Sequence, residues 1–115
     1  YSFLYGGWDN RGSQIVRQKK IVQENPDMKV PRSSDIHRRW FHLKVRKNGN
    51  QFSFWIDGKL SGTYSDPEVL PGRHFAIWTW KNGLMAAQFR ISSDRRSPAS
   101  QPLFNSSAIP QTPYD

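Results

Sequence analysis

Three dipeptides, Asn48-Gly49, Asp57-Gly58 and Asn82-Gly83, constrain the fold of this chain more than any other feature. Asn-Gly and Asp-Gly favour the positive φ values of two-residue hairpin turns, whose twist matches that of paired strands. Each is flanked by residues that alternate with the period of a strand. Ahead of the first turn, Phe41, Leu43 and Val45 alternate with Trp40, His42, Lys44 and Arg46. After it, Phe52, Phe54 and Ile56 share one face while Gln51, Ser53 and Trp55 share the other. Asp57-Gly58 then turns the chain into a short strand from Lys59 to Tyr64, so this region is predicted to be an antiparallel meander. Asp66, Pro67, Pro71 and Gly72 end the meander in a loop. A further strand is expected from about Arg73 to Trp80, with Phe75, Ile77 and Thr79 on one side and His74, Ala76, Trp78 and Trp80 on the other. The third turn leads to its partner strand, Leu84 to Ser92.

The first forty residues carry fainter signals. Ser2 to Tyr5 and Ser13 to Val22 have strand composition, separated by Gly6-Gly7 and a polar turn from Asp9 to Gly12. Gln23 to Arg39, with Pro26, Pro31 and several charges, is expected to be a long connection that crosses between sheets. Beyond Ser92 the composition shifts to Ser, Pro, Asn and Gln. The chain is therefore divided into a β-sandwich domain, residues 1–93, and an irregular tail, residues 94–115. Asn105-Ser106-Ser107 in that tail has the pattern of an N-glycosylation acceptor, a short motif that often arises by chance. No segment approaches the length of about 18 apolar residues that a membrane span needs, and Tyr1 to Asp9 lack the basic start of a signal peptide.

The segment from Trp40 through Ile91 resembles the C-terminal half of a concanavalin A-like lectin/glucanase jelly roll, the superfamily that includes laminin-G-type domains. Four stretches carry the resemblance: Trp40-Phe41-His42-Leu43-Lys44-Val45-Arg46, Phe54-Trp55-Ile56-Asp57-Gly58-Lys59-Leu60, Gly72-Arg73-His74-Phe75-Ala76-Ile77-Trp78-Thr79-Trp80, and Phe89-Arg90-Ile91. It implies an all-β, antiparallel jelly-roll sandwich, a secreted (extracellular or periplasmic) location, and a carbohydrate-binding or carbohydrate-processing role. Domains of this kind are usually longer, and Phe3-Leu4-Tyr5-Gly6-Gly7-Trp8 resembles an internal strand with its loop. Two readings follow: a compact variant, or a fragment completed by a second polypeptide. The second is favoured, because the strands present do not cover two full sheets and an uncovered face of Trp and Phe would aggregate.

The chemistry of the side chains narrows the function. Cysteine is absent, which removes disulfides and thiolate sites, and no two His have ligand spacing on one strand, so neither a metal nor another cofactor is expected. Glycoside hydrolysis normally needs two facing carboxylates, and none of the nine here forms the Glu-x-Asp-x-Glu strand of the family's glucanases. A polysaccharide lyase would use a His or Tyr base with an Arg partner; by residue type the candidates are His37, His42, His74, Tyr5 and Tyr64 with Arg11, Arg17 and Arg46. If the protein is an enzyme, the hydrolase or lyase residues are expected in a segment outside this chain.

The aromatic residues give the better signal. Trp78 and Trp80, two apart on one predicted strand, would project from one face about 7 Å apart, a spacing suited to stacking along a sugar chain. Trp8, in a Gly-rich loop with Asn10 and Arg11, is suited to a rim contact with amide and guanidinium donors. The expected partner is thus a polysaccharide or glycan, and the net charge of +8 favours an anionic one. A laminin-G-like module for proteins or glycosaminoglycans is the next alternative. Nucleic acid ranks below both, because the aromatic signature and segregated basic helix of such modules are missing.

Overall fold

Six strands make two three-stranded antiparallel sheets, and in the second of them alternation and turn chemistry coincide. The computed structural model describes residues 1–32, 39–72, 74–79 and 84–93. The first sheet, in the order β1-β2-β3, comprises Ser2–Tyr5 (β1), Ser13–Arg17 (β2) and Lys20–Asn25 (β3). The second, in the order β4-β5-β6, comprises Leu43–Asn48 (β4), Gln51–Ile56 (β5) and Lys59–Ser65 (β6). Gly49, Asp57 and Gly58 take the positive φ that the two hairpin turns require. The one helical element among the described residues is a single turn, Gly7–Asn10 (α1).

The core follows from strand period. On β5 the residues Phe52, Phe54 and Ile56 are buried, and opposite them on the first sheet Ile15 is fully enclosed. Rings complete the contact between the sheets: Phe3 lies 5.7 Å from Phe54 and Tyr1 lies 4.2 Å from Phe52, centroid to centroid. Two bulges adapt the strands to this packing. The register slips between Ile15 and Val16, leaving Val22 as the extra residue of β3, and Val22 packs against the core. A second slip between Phe54 and Trp55 leaves Ser61 as the extra residue of β6, where its hydroxyl meets that of Ser13 across the sheets.

The chain divides into two compact units, Tyr1–His74 and Phe75–Asp115, and both sheets belong to the first. Beyond the sheets, the alternation at 74–79 and 84–93 does not produce strands. All of these residues are exposed; Phe75 and Phe89 stack on each other with centroids 5.2 Å apart. A strand needs a ladder partner and a face to bury, and among the described residues no ladder forms at these positions. The expected strands at 73–80 and 84–92 are corrected accordingly, while Trp80 and the Asn82-Gly83 turn lie outside the described residues. So does the tail from 94 onward. No helix among the described residues is long and apolar enough to cross a membrane.

Candidate functional site

The most unusual backbone in the first unit is the connection between β1 and β2. Trp8 (φ 48°, ψ 61°) and Asp9 (φ 56°, ψ 47°) are both left-handed, and Asn10 follows at φ 60°. Asn10 N–H donates to the Gly6 carbonyl at 3.2 Å and Arg11 N–H to that of Gly7 at 3.0 Å, so α1 is one turn of left-handed helix. Such a turn costs about 1–2 kcal/mol per residue, less for Asp and Asn. Strain of this kind persists only where neighbours enforce it, and it concentrates at ligand-binding segments.

The neighbours can be named. The Asn10 amide pairs with the backbone of Val30 as a strand would, donating to its carbonyl at 2.7 Å and accepting from its N–H at 2.8 Å. Arg32 reaches the carbonyl and carboxylate of Asp9 at 3.1 and 3.3 Å. Gly12 closes the loop with φ 127°, and a Cβ there would lie 2.3 Å from the Asn25 carbonyl oxygen, so only glycine fits.

This turn folds over the face of the first sheet that points away from the second. Leu4, Gln14 and Glu24 stand side by side there across the three strands. A Cβ on Gly7 would sit 3.3 Å from Gln14 Oε1, so the Gly7 backbone lies directly on that amide. Gln14 is wholly buried, and among the described residues neither end of its amide has a hydrogen-bond partner; Glu24 Oε2 is likewise buried without one among them. The other oxygen of Glu24 accepts from Arg11 Nε at 3.1 Å. Arg11 is otherwise exposed and keeps its two terminal nitrogens free of partners among the described residues. Trp8, at the crest of the turn, is 54% exposed. The arrangement sets an exposed indole beside guanidinium donors, above an enclosed amide and carboxylate oxygen that have no partner among the described residues.

The structure thus brings Trp8, Asn10 and Arg11 into one turn, but gives them different work. Trp8 and Arg11 remain available to a ligand, while Asn10 spends both ends of its amide holding the turn. Gln14 and Glu24 were missed from the sequence, since polar residues on a strand read as a solvent face until register and the covering turn are known. Trp78, in the second unit, is 57% exposed. It lacks the strand that was to align it with Trp80.

A second concave region, about 300 Å³, lies between the β2–β3 turn and the segment after β6; Arg17, Lys20, Tyr64 and Asp66 contribute to its lining. Asp66 is almost fully buried and serves as a hub. Its Oδ2 accepts from the Tyr1 hydroxyl and from Arg17 Nε at 2.7 Å, and its Oδ1 accepts from Glu68 N–H at 2.8 Å. Burial pushes the Asp66 pKa up, but the bonds from Tyr1, Glu68 and Arg17 together outweigh it and hold the carboxyl below its ordinary value. The hydrogen bond to Asp66 in turn raises the pKa of Arg17. Because Arg17 also donates to the Glu68 carbonyl at 2.8 Å, Arg17 and Asp66 are engaged with each other and with the backbone of this segment.

The lyase candidates gain nothing from their surroundings. Tyr5 donates to the Lys29 carbonyl at 3.1 Å, and burial raises its pKa, with Arg39 opposing and Asp57 reinforcing. That is the wrong direction for a base. His42 and His74 are exposed, and His37 lies outside the described residues. Among the described residues, no three metal-ligating side chains converge. Comparison with protein-family models, with curated proteins and with solved structures finds no match.

Proposed function

We propose that this chain binds carbohydrate, as a lectin-like part of an antiparallel jelly-roll sandwich, and that the turn bearing Trp8 is its contact. The observation that carries the reading is the left-handed turn itself. It holds a half-exposed indole on a strained backbone, over an amide and a carboxylate oxygen that find no partner among the described residues. Sugars present apolar C–H faces and rings of hydroxyls. An indole stacks on the first, and the exposed guanidinium of Arg11 bonds the second. The all-β architecture supports the jelly-roll assignment in its coarse form, and the net charge of +8 favours a glycan that carries acid groups. Trp78, exposed in the second unit, is a separate contact to be tested by itself.

The test is a glycan array probed with the labelled chain, followed by titration of each glycan that is bound. Trp8→Ala is expected to weaken binding about tenfold or more, from loss of one stacking contact and its desolvated area. Trp78→Ala measures the second contact in a parallel arm. Absence of any glycan ligand, or full affinity in the Trp8→Ala variant, overturns the proposal.

A further inference from the structure

The edge strand β4 reads Leu43-Lys44-Val45-Arg46-Lys47-Asn48, and all six residues are exposed. In register, Leu43 stands opposite Ile56 and Val45 opposite Phe54. Those two partners are core residues, 3% and 1% exposed, whereas Leu43 and Val45 are 51% and 47% exposed. The core face therefore continues one strand beyond what covers it. On the opposite face Lys44 lies over the Trp55 ring, 4.9 Å from its centroid, and Arg46 stands opposite Ser53. Neither β4 nor β5 carries an acidic residue.

We infer that the edge of β4, unpaired among the described residues, takes up an extended segment of another polypeptide in which apolar and acidic residues alternate. Strand addition supplies main-chain hydrogen bonds, and the alternation assigns each side chain a place. Apolar residues of the incoming strand cover Leu43 and Val45 and extend the core, while its carboxylates meet Lys44 and Arg46 as cross-strand pairs. Cations on an edge strand ordinarily repel strand addition. Here they exclude a second copy of β4, which would set Lys and Arg against Lys and Arg, and they leave an acidic strand favoured. Repulsion also gives no reason for the two half-exposed apolar residues on the core side. The segment does not come from this chain: its only two carboxylates spaced two apart, Asp66 and Glu68, flank Pro67 in the loop after β6.

The full chain is titrated calorimetrically with three synthetic octapeptides: alternating Val-Glu, a blocked peptide of the same composition with four Val followed by four Glu, and alternating Val-Lys. Alternating Val-Glu is expected to bind and to slow hydrogen exchange at the β4 amides; the other two are expected to bind at least about tenfold more weakly. Lys44→Glu combined with Arg46→Glu, on the solvent face, is expected to invert the preference towards Val-Lys. Equal binding of the blocked peptide reduces the effect to charge attraction and overturns the inference. So does failure of Val-Glu to bind, or binding without protection of β4, a measurement on the unaltered chain that does not depend on the variant folding. Glycan binding at the Trp8 turn stands or falls separately.

Discussion

Trp8 and Gln14 each hold the protein in a state that a simpler residue would relieve. A non-glycine residue at φ 48° is strained, and a buried amide without partners among the described residues has lost its water for nothing in return. Trp8→Gly is therefore expected to raise stability by about 1 kcal/mol in urea denaturation, and Gln14→Met by about 1–2 kcal/mol. Both are expected to weaken glycan binding, the exchange of stability for function typical of ligand sites. A loss of stability in Gln14→Met would mean that the amide is already satisfied and has no part in a site. At this scale the sequence marked Trp8 and Arg11 by their Gly-rich surroundings. It was silent on Gln14 and Glu24, whose isolation depends on Gly7 lying over the sheet.

Among the elements, turn chemistry was the most legible signal. Asn48-Gly49 and Asp57-Gly58 place the β4–β5–β6 meander, although β4 begins at Leu43 and not at Trp40. The stretch from Ser13 to Val22, which has strand composition, holds β2, a turn and the start of β3. Its turn has no glycine: Gln18 itself takes φ 57°, so the usual punctuation is missing. The opposite error occurs after Gly72, where alternation is clear but the described side chains find no sheet to pack on. Periodicity states which residues would share a face, and only a partner makes the strand. The connection from β1 to β2 depends instead on close approach at Gly12, where a side chain would meet both Asn25 and Pro26 backbone. Gly12→Ala is expected to destabilise the first unit by about 3 kcal/mol, from positive φ and overpacking together, as read by the urea midpoint. A change under about 0.5 kcal/mol, the level of an ordinary surface substitution, would show that the loop has room to yield.

At the scale of the whole first unit, the Asp66 hub joins what the sheets alone do not. Tyr1 from the start of β1, Arg17 from the end of β2 and Glu68 from beyond β6 all converge on one carboxylate, and Leu70 N–H donates to the Tyr1 hydroxyl at 3.0 Å. The hub therefore ties the first sheet to the segment that leaves the second. Its dependence on pH has a definite sign. The native pKa of Asp66 lies below the ordinary 3.8, so the folded state binds this proton less readily than the unfolded chain. The contribution is complete above 3.8 and is lost as pH falls below that value and through the lowered native one. Thermal unfolding followed from neutral pH into this acid range is expected to show a decline in midpoint that Asp66→Asn lacks. At neutral pH the same variant is expected to unfold at a lower temperature, because Arg17 and Tyr1 keep their places without the charge that held them. Parallel profiles for the two proteins would assign the acid sensitivity to other carboxylates and leave the sheets joined by their apolar core and the contacts at Ser61.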